Sequence, residues 1–194
     1  LEHEESPGVS NLKIMGTQVS TSKKQDRTVG SSTYHKELGD IYSEEERNVV
    51  CLLGLSTLEE ASVEKKQLLK AKVTGFDVVS GDLFEVEKTY FMTRNTDTVS
   101  DSQKSLRVDI HRNRLVTVEV LDEAKALADD KNLDKAKEVI KGAIEQLESS
   151  QSAGEVLTQS LVKDLKESLK DMVNQFEYST KGNKKMAMYS RSHG

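Results

Sequence analysis

The spacing of apolar residues changes once along this chain, and the change divides it into two parts. Up to about residue 92 the apolar residues alternate or form short runs, which is typical of β-strands. From about residue 106 they recur every three or four positions, which is typical of amphipathic helices. Residues 93–105 are almost wholly polar, so we expect a linker there. Strands followed by helices predict an α+β protein.

The first part, residues 1–92, is predicted to be a β-rich domain that folds as an antiparallel β-sandwich or half-barrel. The apolar run Arg47–Leu55 has the length of a strand buried on both faces, so we expect it inside a sheet. A hairpin is predicted around the turn Ser80-Gly81-Asp82. The alternation of its first strand changes phase at Gly75, which is typical of a β-bulge. The residues predicted to share one face of its second strand are Phe84, Val86, Tyr90 and Met92.

The second part is predicted to contain three helices, from about Leu106 to Asp129, Leu133 to Glu148 and Ala153 to Thr180. Short connections and matching apolar stripes predict an antiparallel bundle over residues 106–180. The third stripe consists of Leu157, Leu161, Leu165, Leu169, Met172 or Val173, and Phe176. Its alternative role is a seam that binds a partner helix. Residues 181–194 are basic and lack periodicity, so we expect a loosely held tail.

Composition excludes several classes of function. The net charge of -5 argues against a general polyanion binder, and the 5% of aromatic residues, without Trp, argues against a nucleic-acid stacking platform. No apolar run approaches the length of a membrane span, about 18 residues. Cys51 is the only cysteine, so no disulfide framework can form. We therefore expect an intracellular, cytoplasmic protein and, since the chain begins without Met, a fragment of a longer one.

The residues capable of chemistry are scattered along the sequence. The four histidines are far apart, whereas zinc requires at least three convergent ligands. Cys51 lies in an apolar run, where burial suppresses the thiolate, so we interpret it as a structural residue and not as a nucleophile. The segment Asp101–Ser105 lacks the middle serine of a metal-ion-dependent adhesion site. The sequence therefore predicts no catalytic residue, no metal site and no cofactor.

Two charged blocks are candidates for interaction. The first, the acidic turn, consists of Tyr42, Glu44, Glu45, Glu46 and Arg47. The second, the basic segment, consists of Arg107, His111, Arg112 and Arg114. Arg107, His111 and Arg114 follow one another at spacings of four and three, which places them on one face of a helix. We predict that Glu44–Glu46 of the acidic turn form a docking point for Arg47 or for the basic segment. For the basic segment, the alternative is an acidic partner or a phosphate.

Three blocks of sequence are similar to one known family: Gly39–Arg47, Val108–Leu115 and Met188–His193. Over residues 10–193 the chain resembles the region that follows the von Willebrand factor A (VWA) domain in certain intracellular proteins. These include plant RING-type ubiquitin ligases with a VWA domain and VWA proteins with a hedgehog/intein-like domain. The resemblance implies a β-sandwich and a helical bundle attached to a VWA domain in the same parent chain. It implies no catalytic residue.

These observations predict a non-enzymatic protein-interaction or scaffolding module that supports an adjacent VWA domain and binds protein partners. The alternative is a small metal-dependent or acid/base enzyme domain that uses Glu44–Glu46 with His35 or His111. An enzyme would bring at least two of these groups together in a cavity with perturbed pKa values. An interaction module would leave them scattered and solvated.

Overall fold

The computed structural model describes residues 2–3, 9–15, 22–26, 31–57, 62–94 and 105–193. Contacts within the chain divide it into two compact units. One unit, the β unit, holds all the described strands, and the other, the helical unit, holds all the described helices. The prediction of an α+β protein is therefore confirmed.

The β unit contains two antiparallel sheets. The strands are β1 Glu2–His3, β2 Val9–Ile14, β3 Ser22–Asp26, β4 Ser31–His35, β5 Cys51–Leu55, β6 Ser62–Asp77 and β7 Asp82–Arg94. Five of them form a sheet in the order β3-β4-β1-β6-β7, and β2 pairs with β5 in a second sheet. A closed sandwich or half-barrel is not confirmed.

The placement of the apolar run Arg47–Leu55 inside a sheet is wrong. Within the described residues its strand begins only at Cys51 and pairs with β2 alone. A two-stranded sheet has no interior strand, so this apolar run is covered on one edge only. The side chain of Leu52 in this strand is exposed, so the run is not buried on both faces either.

The predicted bulge at Gly75 is also wrong. Pairing between β6 and β7 is regular from Leu69 opposite Tyr90 to Asp77 opposite Asp82, and the irregularities of register occur nearer the start of β6. Gly75 lies opposite Phe84, whose ring occupies the space that a side chain at Gly75 would fill. The apparent change of phase arises because the hairpin carries apolar residues on both faces near its turn.

The helical unit contains four helices. They are α1 Leu106–Asp129, α2 Leu133–Glu148, α3 Val156–Lys170 and α4 Asn183–His193. A one-turn helix, Gln175–Glu177, and a π-helical turn, Tyr178–Gly182, lead directly into α4. The core they enclose includes the fully buried side chains of Leu121, Ile140, Leu147, Leu161, Leu165 and Met172.

Polar groups fix the connection between α2 and α3 onto α1. The Asn113 side-chain amide lies 2.9 Å from both Ser150 Oγ and Ser152 Oγ. The backbone N–H of Ser152 donates to Asp109 Oδ2 over 2.9 Å. These contacts join residues about forty positions apart, so the start of α1 and the α2–α3 connection form one structure.

The third helix is shorter than predicted. It ends at Lys170, and Asn174 adopts an extended conformation and caps the next helical turn through its side chain. The leucine stripe is buried at Leu161 and Leu165, but the side chain of Phe176, predicted to continue it, is exposed. After the break, Tyr178 and not Phe176 enters the core, because the new helical segment starts with a different phase.

The expectation of a loosely held tail over residues 181–194 is wrong. Residues 183–193 form α4, which contacts α1 and α3 and buries Met186 and Ser190. The helical unit is therefore not the three-helix bundle that was predicted, because a fourth helix joins it. The division of the chain at residues 93–105 stays a prediction, since residues 95–104 lie outside the described residues.

Candidate protein-interaction surface

The hairpin arm, residues 69–90, is built from the regular part of β6 and β7 and their turn. Asp77 holds the turn: its Oδ1 accepts hydrogen bonds from the N–H groups of Val79 at 2.8 Å and Ser80 at 3.3 Å. Gly81 N–H donates to the Asp77 carbonyl at 2.8 Å, with a φ of 76° that favours glycine. These backbone hydrogen bonds lower the pKa of the Asp77 carboxyl group.

The two faces of the arm differ in chemistry. Because side chains alternate along a strand, one face carries apolar residues of both strands. This apolar face consists of Leu69, Ala71, Val73, Gly75, Phe84, Val86 and Tyr90, together with Lys88. On the opposite, charged face Lys70 pairs with Glu87 at 2.9 Å and Lys72 pairs with Glu85 at 2.8 Å.

Most large apolar side chains of the arm are exposed, although Leu69 at its base is buried. Val86 on the apolar face is 59% exposed, and Leu83 and Val79 near the turn are 83% and 98% exposed. Contiguous apolar surface of this kind is uncommon on single protein chains and marks interaction sites. A shallow cavity of about 500 Å³ adjoins the turn and is lined by Thr74, Gly75, Phe76, Leu83, Phe84 and Glu85.

The arm also presents a strand edge. β7 is the last strand of the five-stranded sheet, and within the described residues no strand pairs with its outer side. Such an edge offers backbone N–H and C=O groups to another chain. The arm therefore combines an apolar face with an available row of hydrogen-bonding groups.

The acidic turn is held by its own residues. Tyr42 N–H donates to Glu45 Oε2 at 3.0 Å, and Glu45 N–H donates to the Tyr42 carbonyl at 3.0 Å. The Glu45 carboxylate also forms an ion pair with Arg47, which is the first of the two predicted docking partners. Glu44 adopts a φ of 66°, and Glu46 is exposed beside it.

The basic segment lies on the first turns of α1. Arg107, His111 and Arg114 all lie on α1, where spacings of four and three place them on one face. Burial lowers the pKa of His111, and the charges of Arg114 and Arg107 lower it further. Arg112 is directed elsewhere, with a guanidinium nitrogen 4.0 Å from Asp109. Docking of the acidic turn on this segment stays a prediction, because the two blocks belong to different units.

Sequence reasoning missed the polar contacts that hold α4. Asp129 at the end of α1 accepts hydrogen bonds from the Tyr178 hydroxyl at 2.7 Å and the Asn183 amide at 2.8 Å, and pairs with Lys125 at 2.7 Å. Burial raises the pKa of Asp129, but the hydrogen bonds from Lys125, Tyr178 and Asn183 outweigh it, and the pKa lies below its ordinary value. No local sequence motif predicts the contacts of Asp129 with Tyr178 and Asn183, because they join residues about fifty positions apart.

A second set of polar contacts ties α4 to α3. Lys185 pairs with Asp171 at 2.9 Å and with Glu167 at 3.1 Å. The Tyr189 hydroxyl donates to Glu167 at 2.7 Å, and His193 Nε2 lies 2.8 Å from Asp164. The final helix therefore has a polar partner on nearly every turn, which explains why its basic residues do not form a loose tail.

The groups proposed for an enzyme lie on different elements. Glu44–Glu46 lie in the acidic turn, His35 ends β4, and His111 lies on α1 in the other unit. In the described part of the chain, no three His, Cys, Asp or Glu side chains are arranged to hold a metal ion. Burial raises the pKa of the half-buried Cys51 thiol. Within the described residues, no helix is long and apolar enough to cross a membrane.

Comparison with known proteins gives one match. Residues 104–193 match the family model described as CPSF6-like, RSLD domain, N-terminal region. This segment takes in all four helices of the helical unit and none of the strands. Searches of curated proteins and of solved structures found no significant match.

The match corrects the family resemblance drawn from the sequence. The helical region is similar to a CPSF6-like RSLD domain and not to the region that follows a VWA domain in ubiquitin ligases. The short blocks that suggested the VWA-associated region are each nine residues or fewer. Blocks of that length specify a turn or the start of a helix, which unrelated proteins share.

Proposed function

We propose that this chain is a non-enzymatic protein-interaction module whose contact surface is the hairpin arm. The observation that carries the proposal is the exposure of apolar side chains on an arm whose turn and charged face are well ordered by hydrogen bonds and ion pairs. Exposed apolar surface gains free energy when another protein covers it, at about 25 cal/mol per Å².

The family similarity supports the same class of function. A CPSF6-like RSLD domain suggests a protein-interaction module, with no link to a VWA domain. The partners we propose are proteins, because the net charge of -5 opposes binding to nucleic acid. CPSF6-like domains are generally nuclear, so we propose an intracellular, nuclear location in place of the cytoplasmic one.

The enzyme alternative gains no specific support. Glu45 is engaged by the Tyr42 N–H and by Arg47, which leaves it committed to the structure of its own turn. Burial and two neighbouring arginines disfavour the charged form of His111, and no carboxylate is among the causes of its lowered pKa. We therefore keep the proposal that this chain has no catalytic role.

A matched pair of variants tests the proposal. The arm variant carries Leu83→Ser and Val86→Thr, and the control variant carries Val173→Thr and Phe176→Ser, at exposed apolar positions of the helical unit. Proteins captured by the wild-type chain are identified, produced and titrated against all three chains. We expect at least one to bind the control variant normally and the arm variant about tenfold more weakly or worse, as for loss of a central apolar contact.

Equal affinity of every captured protein for the arm variant and the wild-type chain would overturn the proposal. Circular dichroism of the two variants provides the check on folding. Both variants replace exposed side chains, so we expect unchanged secondary structure and a change in unfolding free energy within about 0.5 kcal/mol.

A further inference from the structure

The outer edge of β7 is regular over the length of the arm. Between Asp82 and Tyr90 every residue has its partner on β6 without a shift of register. In an antiparallel strand alternate residues direct their N–H and C=O groups away from the neighbouring strand, so about four residues of this stretch direct them outward. Proline would block such an edge, and the only proline of the chain is Pro7.

The side chains along this edge form two rows. The apolar face contributes Phe84, Val86 and Tyr90, all of them exposed, and Lys88, whose Nζ lies 5.5 Å from the centre of the Tyr90 ring. The exposed Leu83 lies on the charged face, next to the turn. The charged face contributes Glu85 and Glu87, whose side chains are 53% and 40% exposed although each pairs with a lysine of β6. A strand added beside β7 would therefore meet apolar groups on one face and carboxylates on the other.

A second copy of this chain fits the edge poorly. Two antiparallel β7 strands from a pair of copies would be related by a two-fold axis. Residues directly opposite each other lie on the same face, so the apolar faces stay together only if the axis passes through a residue and not between two residues. An axis at Glu87 or Lys88 places that charge opposite itself, and an axis at Val86 places Glu85 opposite Glu87. Like charges directly opposite each other destabilise a strand pair. An axis at Phe84 or Thr89 avoids like charges, but it places Glu85 opposite Leu83 or Glu87 opposite Phe91, so these carboxylates gain no opposite charge.

We propose that the outer edge of β7, from Asp82 to Tyr90, pairs with an extended strand of a partner protein that alternates apolar and basic residues. The apolar residues of the partner pack beside Phe84, Val86 and Tyr90, and its lysines or arginines lie beside Glu85 and Glu87. Backbone hydrogen bonds supply affinity and the alternating side chains supply specificity. This inference rests on the proposed function and names the chemistry of the partner.

The test uses the full chain and synthetic peptides. The probe is a nine-residue peptide with valine at odd and lysine at even positions, and binding is measured by isothermal titration calorimetry. One control peptide carries glutamate in place of lysine, and a second has the original sequence with methylated backbone nitrogens. We expect the lysine peptide to bind, the glutamate peptide to bind about tenfold more weakly because two charge pairs are reversed, and the methylated peptide not to bind.

A matched pair of protein variants tests whether peptide affinity depends on the carboxylates of the arm or on the net charge of the whole chain. Glu85→Gln with Glu87→Gln removes the two carboxylates of the arm, and Glu138→Gln with Glu145→Gln removes two exposed carboxylates of α2. Only the first variant is expected to lose affinity for the lysine peptide. In nuclear magnetic resonance spectra, hydrogen exchange is expected to slow at alternate amides of β7 when the peptide binds.

Three outcomes would overturn the inference. Equal binding of the methylated peptide would show that side chains alone make the contact. Absence of peptide binding would exclude the strand pairing, and a concentration-dependent dimer lost in the arm variant would assign the edge to a second copy. In each case the proposed function is judged separately, by whether the captured proteins lose affinity for the Leu83→Ser, Val86→Thr variant.

Discussion

The hairpin arm and the helical unit both carry periodic apolar residues, and the periodicity has opposite outcomes in the two. In the helical unit the stripes of α1, α2 and α3 face one another, and residues such as Leu121 and Leu161 are fully buried. In the arm the apolar face remains exposed from Val73 and Tyr90 to the turn, and only Leu69 at its base is buried. The comparison shows that periodicity creates an apolar face, but only a second layer of structure converts that face into a core.

Polar interactions differ in the same way. In the arm they are local: Asp77 holds its own turn, and each lysine of the charged face pairs across one strand. In the helical unit they join distant segments, as Asn113 does with Ser152 and Tyr178 with Asp129. The arm is therefore ordered by its own residues, whereas the helical unit is ordered by contacts across the whole unit.

The largest expected effect is in the core of the helical unit. Replacing Leu161 with Ala is expected to lower the free energy of unfolding by about 2–5 kcal/mol, because the side chain is fully buried. Val86→Ala in the arm is the matched comparison and should change it by no more than about 0.5 kcal/mol, because its surroundings are solvent. Chemical denaturation followed by circular dichroism measures both. A comparable loss for Val86→Ala would mean that the arm is covered in solution.

An intermediate effect is expected where α4 is held to α1. Asp129→Asn should lower the free energy of unfolding at pH 7 by about 1 kcal/mol, since it removes a charged acceptor of hydrogen bonds that is 40% exposed and therefore partly screened by water. The folded-state pKa of Asp129 lies below the ordinary value, so its contribution is complete above about pH 3.9 and is lost as the pH falls through the folded pKa. Denaturation at a series of pH values should therefore show the wild type and the variant converging in acid.

The neighbouring exposed residue Asp130 provides the control for this experiment. Asp130→Asn changes the net charge equally but removes no contact of the kind that Asp129 makes. It should leave the free energy of unfolding within about 0.5 kcal/mol of the wild type. If both variants lose the same stability at pH 7, overall charge and not the Asp129 contacts would account for the change.

The smallest expected effect concerns Gly75 in the arm. A Cβ at this position would lie 2.6 Å from two atoms of the Phe84 ring, so Gly75→Ala must displace the ring. The ring is half-exposed and can swing away, and alanine is favoured over glycine in a strand, so the net change should stay within about 1 kcal/mol. Nuclear Overhauser contacts between Gly75 and the Phe84 ring should be present in the wild type and lost in the variant. If these contacts are absent from the wild type, Gly75 does not lie opposite Phe84, and the predicted bulge at Gly75 would again be possible.

The fold was predictable where local signals act together. The bounds of α1 and α2 follow from the sequence because each helix has an apolar stripe with a clear signal at both ends. Ser105 caps the start of α1, and short polar connections mark the end of α1 and both ends of α2. The end of α3 did not follow, because Met172 continues the stripe while Asn174 starts a new helical turn. Which strands pair, and whether a second sheet covers them, depends on distant residues that no local pattern encodes.

The candidate site was predictable only in part. Spacing correctly placed Arg107, His111 and Arg114 together on one face of α1. The apolar side chains of the second hairpin strand were predicted to share a face, and the predicted sandwich or half-barrel implied that this face would be covered. Alternation shows which side chains share a face and cannot show whether that face is covered. The local signal of exposure was Val78 and Val79 within the turn, where a covered hairpin places polar residues.

The single carboxylate of Asp129 has a consequence for how the protein opens. Tyr178, Asn183 and Lys125 all depend on it, and Gln175 reaches the Ala128 carbonyl beside it. These contacts converge on one carboxylate that is already 40% exposed, so the loss of one contact lets the carboxylate move and weakens the others. The π-helical turn and the first turn of α4 should therefore detach from α1 as one cooperative step, and their amide hydrogens should exchange with a single opening free energy and not by gradual fraying from His193.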